Sequence, residues 1–210
     1  MKAALIPWSG GLDSTYSVLT YLKKGYRVDA PYFTIQNNDR KVKCEIETIK
    51  RFRDMEPFKT YIDNGKLCVY ESSSVEILTD SDCVVELTQP PIWLLASFFC
   101  VGWRKPVDEL VISYVLNDCA VSYVDDLRRV WESLRGFVGI ENRKHYPELK
   151  FPLLKTNKLN IIDGYINQFD NGHDILNNVW WCENPEDGKL CGSCTPCKRY
   201  KEISYFDDKF

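Results

Sequence analysis

The chain has 210 residues, a length that suits one domain or one domain with a small appendage, since domains usually run to roughly 100–200 residues. Hydrophobic residues at 44% and charged residues at 27% exclude a disordered, collagen-like or coiled-coil chain. The net charge of −3 supplies no excess positive field for a polyanion, so dedicated nucleic-acid binding is not expected.

The most apolar run, Pro90 to Trp103, is shorter than the roughly 20 residues needed to cross a bilayer, and no membrane span is expected. Ala3 to Ile6 is too short for the apolar core of a secretory signal, which points to the cytoplasm. Nine cysteines in a reducing compartment suggest metal binding or buried thiols before a disulfide framework.

In chain order, Ala3 to Trp8 reads as a strand that runs into Ser9-Gly10-Gly11. A helix follows with Tyr16, Leu19 and Leu22 on its inner face, stopped by Lys23-Lys24-Gly25. Arg27 to Thr34 is a second strand, Cys44 to Arg53 a charged helix, and Leu67 to Tyr70 a short third strand. Pro90-Pro91 opens a helix apolar on nearly every face through Trp103, a composition that predicts burial. Glu109 to Leu116 is a fourth strand. Val124, Leu127, Trp131, Leu134 and Val138 mark one face of an amphipathic helix after it. Asn157 is a cap for a further helix whose inner face is Leu159, Ile162, Ile166 and Phe169. Strands alternating with helices predict an α/β fold, a Rossmann-like doubly wound parallel sheet covered on both faces.

Two segments carry chemistry. Ser9-Gly10-Gly11-Leu12-Asp13-Ser14 lies between the first strand and the first helix, where backbone N–H groups and the helix dipole hold a phosphate anion. The paired glycines let the main chain approach phosphate oxygens, and the Ser9 and Ser14 hydroxyls can donate to them. Asp13 would repel a polyphosphate unless magnesium lies between, so it is assigned a magnesium or water-bridged contact. Neither a G-x-x-x-x-G-K-[ST] loop nor G-x-G-x-x-G is present. Near the other end, Cys182, Cys191, Cys194 and Cys197 form C-x8-C-x2-C-x2-C, a spacing at which four thiolates close a tetrahedral zinc site. The ligand count alone also admits an iron–sulfur cluster. Cys44, Cys68, Cys83, Cys100 and Cys119 lack such spacing and are expected to be small core hydrophobes. His145 and His173 are isolated and are not expected to be catalysts.

The six loop residues resemble the S-G-G-x-D-S signature of the PP-loop ATP pyrophosphatases. Together with the cysteine spacing they resemble one branch of that family, the 7-cyano-7-deazaguanine synthases (QueC type). Phe151-Pro152-Leu153-Leu154 through Lys158 is similar to the branch's P-L-x-x-x-x-K segment. Tyr123-Val124-Asp125 through Arg128 resembles its G-Y-P-D-C-R segment, with Asp118 at an acidic position just upstream. Where the branch carries P-G-R-N this chain has Gln89-Pro90-Pro91-Ile92, and Y-G-Q-R-H is only partly echoed by Ile35-Gln36-Asn37.

The resemblance implies a PP-loop domain over residues 1–180 and a zinc-binding tail over 181–210 packed on the same domain. It implies ATP bound by Ser9, Gly10, Gly11, Leu12, Asp13 and Ser14, catalysis by Asp13, Ser14 and Lys158, and substrate contacts from Gln36, Asp118, Tyr123 and Asp125. It further implies zinc and magnesium as cofactors, a homodimer, and AMP-forming activation of 7-carboxy-7-deazaguanine for attack by ammonia to give a nitrile. Divergent QueC-like proteins of antiviral defence instead couple such a carboxylate to a protein amine, and that alternative stays open here. A PP-loop tRNA thiolase and an inactive scaffold are the remaining readings.

Overall fold

In the computed structural model, residues 1–36, 38–78, 89–101, 106–116 and 118–209 are described. Five parallel strands form one sheet in the order β3-β2-β1-β4-β5, with β1 Ala3–Leu5, β2 Arg27–Gln36, β3 Leu67–Leu78, β4 Glu109–Val111 and β5 Glu148–Lys150. The chain order reverses at β1, which pairs with β2 on one side and β4 on the other. Such a switch point leaves a crevice beyond the carboxyl ends of the two strands, where open α/β sheets bind ligands.

The segment after β1 shows how alternation builds two layers. Ala4, Ile6 and Trp8 enter one apolar cluster and Ala3 and Leu5 the other, because successive side chains of extended backbone point to opposite faces. The first layer holds α1 (Leu12–Lys23), α2 (Asp39–Asp54), α3 (Phe58–Asp63), α6 (Lys158–Gln168) and α7 (Gly172–Asn178). The second holds α4 (Gln89–Cys100) and α5 (Val124–Leu134). On α5, Val124, Leu127 and Trp131 recur at helical spacing and are buried, and the Trp131 indole donates to Pro147 O at 2.8 Å. Each such side chain removed from water contributes about 1.5–3 kcal/mol.

The fold is the parallel α/β sheet expected, with differences of detail. Ladder pairing of the first strand ends at Leu5, although Ile6 N and Trp8 N still donate to Asp29 O and Pro31 O. The fourth strand is three residues long, not eight. α2 starts at Asp39 because Asn38 caps it, its side chain accepting from Arg40 N and Lys41 N. α4 is not buried on every face, since Leu95 and Phe99 are 41% and 56% exposed; Trp103 lies outside the described residues. Leu159, expected on the inner face of α6, is 57% exposed; Ile162 is buried there as expected, joined by Ile161 and Tyr165. Asn157 does cap this helix, accepting from Asn160 N. Of the unassigned thiols, Cys44 is buried, Cys68 and Cys100 are half-buried and Cys119 is exposed, which departs from a core role; Cys83 lies outside the described residues. Among the described residues no helix is long and apolar enough to cross a membrane.

The tail shares the main core. Trp181, Cys182, Cys194, Cys197, Tyr200 and Phe206 all belong to the first cluster. Trp181 stacks on Tyr200 at 4.3 Å between ring centroids, so α8 (Thr195–Lys201) is packed on the body of the sheet domain.

Candidate functional site

A cleft of about 330 Å³ opens at the switch point, lined by Ser9 to Ser14 of the glycine turn (Gly10 apart), the residues following β4, and Lys158 of α6. Its far wall is built by Trp180, Trp181 and α8 through Pro196, Arg199 and Tyr200.

The glycine turn is tied down by its carbonyls. Trp180 N donates to Gly10 O at 3.1 Å, and the buried Tyr165 hydroxyl donates to Leu12 O at 2.8 Å. Gly10 has φ +74°, and a Cβ there would meet Thr48 Cγ2 of α2 at 2.7 Å, so both backbone conformation and packing require glycine. At Gly11 a Cβ would stand 3.3 Å from Ser9 Oγ and 3.4 Å from Trp180 O. Gly11 is the N-cap of α1 and no side chain caps that end, which leaves the helix N-terminus suited to an anion. The Ser9 and Ser14 hydroxyls lie 3.4 Å apart beside it.

Asp13 and Lys158 meet in this cleft, Lys158 Nζ donating to Asp13 Oδ2 at 2.6 Å. Burial pushes the Asp13 carboxyl above the ordinary carboxylate range, while Lys158 pulls it down and Asp118 adds a smaller upward push. Asp13 Oδ1 is buried without a hydrogen-bond partner among the described residues. A buried, unpartnered carboxylate oxygen beside a second acid fits a hard divalent cation such as magnesium. Asp118 accepts from Val115 N at 3.1 Å through Oδ2, and its Oδ1 stands 3.9 Å from Arg199 of α8.

The four tail cysteines converge. Their Sγ atoms all lie within 4.8 Å of one another, and Cys182 and Cys197 are fully buried. Ser193 donates to Cys191 and lowers its thiol, whereas burial raises Cys182 and Cys197. Four converging thiols with no open position suit a closed metal centre. That centre stands at the root of α8, since Cys194 is its N-cap and Cys197 lies in its first turn.

Other expected residues are placed differently. Gln36 ends β2, with its side chain outside the described set, as is Asn37. Gln89 lines the cleft. Tyr123 and Asp125 are exposed and do not line it; Asp125 pairs instead with Arg128 on the surface of α5. His145 is exposed, and His173 Nδ1 lies 2.9 Å from the Tyr205 hydroxyl, away from the cleft. Sequence reasoning missed Trp180, Trp181, Tyr200 and Glu45, which line the cleft. Glu45 accepts the Tyr32 hydroxyl at 2.7 Å, and burial raises its carboxyl. Its placement at the inner turn of a charged helix leaves no local signal that distinguishes it from a surface glutamate.

No protein-family model matches the chain. Curated proteins do. The 7-cyano-7-deazaguanine synthase of Saccharophagus degradans is 24% identical over 216 residues, covering 94% of this chain and 90% of that protein. The 7-cyano-7-deazaguanine synthase of Campylobacter jejuni subsp. doylei is 24% identical over 212 residues, covering 93% and 90%. A probable tRNA sulfurtransferase of Mycoplasma genitalium is 24% identical over 158 residues, covering 70% of this chain but 39% of that protein. Among solved structures, the U34-tRNA thiolase NcsA from Methanococcus maripaludis with its [4Fe-4S] cluster aligns with 97% of this chain at a TM-score of 0.46 and 16% identity; the chain spans 65% of it. Over more than nine-tenths of its length, then, the chain resembles the 7-cyano-7-deazaguanine synthases, the branch of the PP-loop ATP pyrophosphatases to which its motifs point.

Proposed function

We propose that this protein is an AMP-forming carbon–nitrogen ligase that activates the carboxylate of 7-carboxy-7-deazaguanine. The observation that carries the reading is one cleft shared by the S-G-G-L-D-S turn, Asp13, Lys158 and the cysteine-anchored helix α8. Similarity to two synthases along most of both chains supports the substrate.

A carboxylate is a poor acyl donor because oxide is a poor leaving group. Its oxygen attacks the α-phosphorus of ATP, the bond to the bridging oxygen of the β-phosphate breaks, and pyrophosphate leaves with that electron pair. An amine then forms a C–N bond to the acyl carbon, AMP leaves, and the nitrogen loses a proton. With ammonia the product is an amide. A second adenylation, at the amide oxygen, releases pyrophosphate again, and loss of AMP and of both nitrogen-bound protons yields the nitrile.

The residues divide the work. Backbone N–H groups of Ser9 to Ser14 and the N-terminus of α1 hold the departing phosphates, where preorganised donors act most strongly on developing charge. Lys158 compensates charge at the phosphates, and the Ser14 hydroxyl donates to them. Asp13 would hold magnesium, which when bound neutralises charge on the phosphate chain. Asp118 faces the substrate at the carboxyl edge, with Gln36 and Gln89 as further contacts. Residues 181–210 form a zinc-binding tail, the four thiolates holding zinc as a closed structural centre that fixes the α8 wall. The protein acts as a cytoplasmic homodimer in this reading.

A protein amine in place of ammonia is the second reading. It is favoured by Gln89, which stands in the cleft where the synthases carry their P-G-R-N segment. Incubation with magnesium-ATP and 7-carboxy-7-deazaguanine, with and without ammonium, tests the proposal by mass spectrometry. AMP with an amide or nitrile is expected. ADP and inorganic phosphate as primary products would remove it.

A further inference from the structure

The adenylation scheme uses Asp13 and Asp118 but leaves one inner carboxylate of the cleft without a task. Glu45 comes from α2, whose turn at Thr48 packs against Gly10, so the same helix buttresses the phosphate turn and carries this side chain into the cleft. Tyr32, 2% exposed on β2, donates to Glu45 Oε2. Among the described residues Oε1 takes no hydrogen bond. The N-terminus of α2 is itself held from the tail side, since Asn38 Nδ2 donates to Glu183 O at 2.8 Å and to Asn184 Oδ1 at 3.1 Å. Lys41 of the same helix lines the cleft and offsets part of the Glu45 charge through space, and a carboxylate partly withdrawn from water and orientated by a buried phenol is completed by donors at its open oxygen.

The other acids of the cleft are committed elsewhere. Asp13 is paired with Lys158, Asp118 is bound to Val115 N and faces Arg199, and Glu183 is exposed. A 2-amino-6-oxo-7-deazapurine presents two parallel donors, the ring N1–H and the exocyclic 2-amino group, on the edge remote from its 7-carboxylate. A carboxylate is the side chain whose two acceptors match that edge. Trp93 and Trp180 line the same cleft and offer flat apolar surface for the ring faces.

We infer that Glu45 is the residue that selects the base, its carboxylate accepting the N1–H and 2-amino group of the deazaguanine ring, with Tyr32 as its positioning residue. The inference rests on the deazaguanine reading of the cleft.

The test titrates the full-length, metal-loaded protein with 7-carboxy-7-deazaguanine and with the analogue lacking the 2-amino group, in the presence of a non-hydrolysable ATP analogue. The wild type is expected to bind the analogue roughly ten- to hundred-fold more weakly, the loss typical of one hydrogen bond to a charged group. Glu45→Gln, which puts a donor against a donor, is expected to bind the parent base weakly and to distinguish the two poorly, with nucleotide affinity and metal content unchanged. Tyr32→Phe should lower the discrimination ratio while nucleotide affinity holds, a change that mere support of the fold does not produce. A wild type indifferent to the 2-amino group, or a Glu45→Gln protein that discriminates as before, overturns the assignment of Glu45 alone. A wild type that binds neither base but binds the nucleotide overturns the deazaguanine reading and this inference with it. Should Glu45→Gln fail to fold, the wild-type comparison of the two bases still decides.

Discussion

Lys158 Nζ donates to Asp13 Oδ2 at 2.6 Å across 145 residues of sequence, joining the turn after β1 to the first residue of α6. Both side chains are about four-fifths buried, at 20% and 21% exposure. Breaking a buried pair by removing one partner leaves an uncompensated charge and costs roughly 3 kcal/mol. Lys158→Met is therefore expected to lower stability by about that amount, and Asp13→Asn combined with Lys158→Met should recover most of it.

The pH dependence has a definite sign. Burial holds the folded-state pKa of Asp13 above its ordinary value despite Lys158, so its ionisation destabilises the folded chain as pH rises from the unfolded value through the folded one. Without Lys158 the carboxyl rises further. The deficit of Lys158→Met should accordingly be larger at about pH 7 than at about pH 5, where more of Asp13 is protonated. Equal deficits in chemical denaturation at the two pH values would sink the argument.

The two glycines of the turn should separate fold from binding. Gly10→Ala meets both a left-handed φ of +74° and Thr48 Cγ2 at 2.7 Å, and is expected to cost about 1–3 kcal/mol in denaturation. Gly11→Val has ordinary φ and looser surroundings, so it should keep most of the fold but lose nucleotide affinity and AMP formation by obstructing the turn. A Gly11→Val protein with wild-type ATP turnover would remove the phosphate role of the turn.

These expectations trace what was legible in the sequence. The turn and the cysteine cluster were readable because each is local: the spacing of Ser9 to Ser14 and of Cys182 to Cys197 itself carries the geometry. The five-stranded order depended on a strand that gave no signal, since Glu148–Lys150 is three residues long and follows a proline. Leu159 opens the apolar pattern of α6 in its first turn yet faces solvent, whereas Ile161 and Tyr165 face the core, a distinction that apolar spacing alone does not carry. Glu45 and the tryptophan pair at 180–181 acquire meaning only through long-range contacts, with Tyr32 and with α8, that no periodicity records.

The four thiols should hold about one zinc per chain, and Cys194→Ser is expected to lose both metal and thermal stability. Because Cys194 caps α8 and α8 carries Arg199 and Tyr200 to the cleft, metal loss should also weaken nucleotide binding. Metal analysis together with a nucleotide titration before and after chelation checks both consequences. A brown protein containing iron and acid-labile sulfide would replace zinc by a cluster and favour a thiolase-like reading.

The acceptor can be read from ATP stoichiometry. If the part of the cleft around Gln89 admits ammonia, each deazaguanine is activated twice and two ATP are consumed per nitrile. If that part instead receives a protein amine, one ATP suffices for each stable amide, because the substituted nitrogen carries one hydrogen and not the two that must leave with AMP to give a neutral nitrile. Saturating ammonium should therefore yield free nitrile and two AMP in the first case. In the second it should leave the base pool without nitrile, while a co-expressed partner gains the mass of one deazaguanine acyl group. Mass spectrometry of the base pool and of the partner, with AMP counted in the same reaction, decides between them. We expect two AMP per product, as the similarity to two nitrile-forming synthases along most of the chain implies; a protein adduct with one AMP and no nitrile would transfer the protein to the conjugating reading.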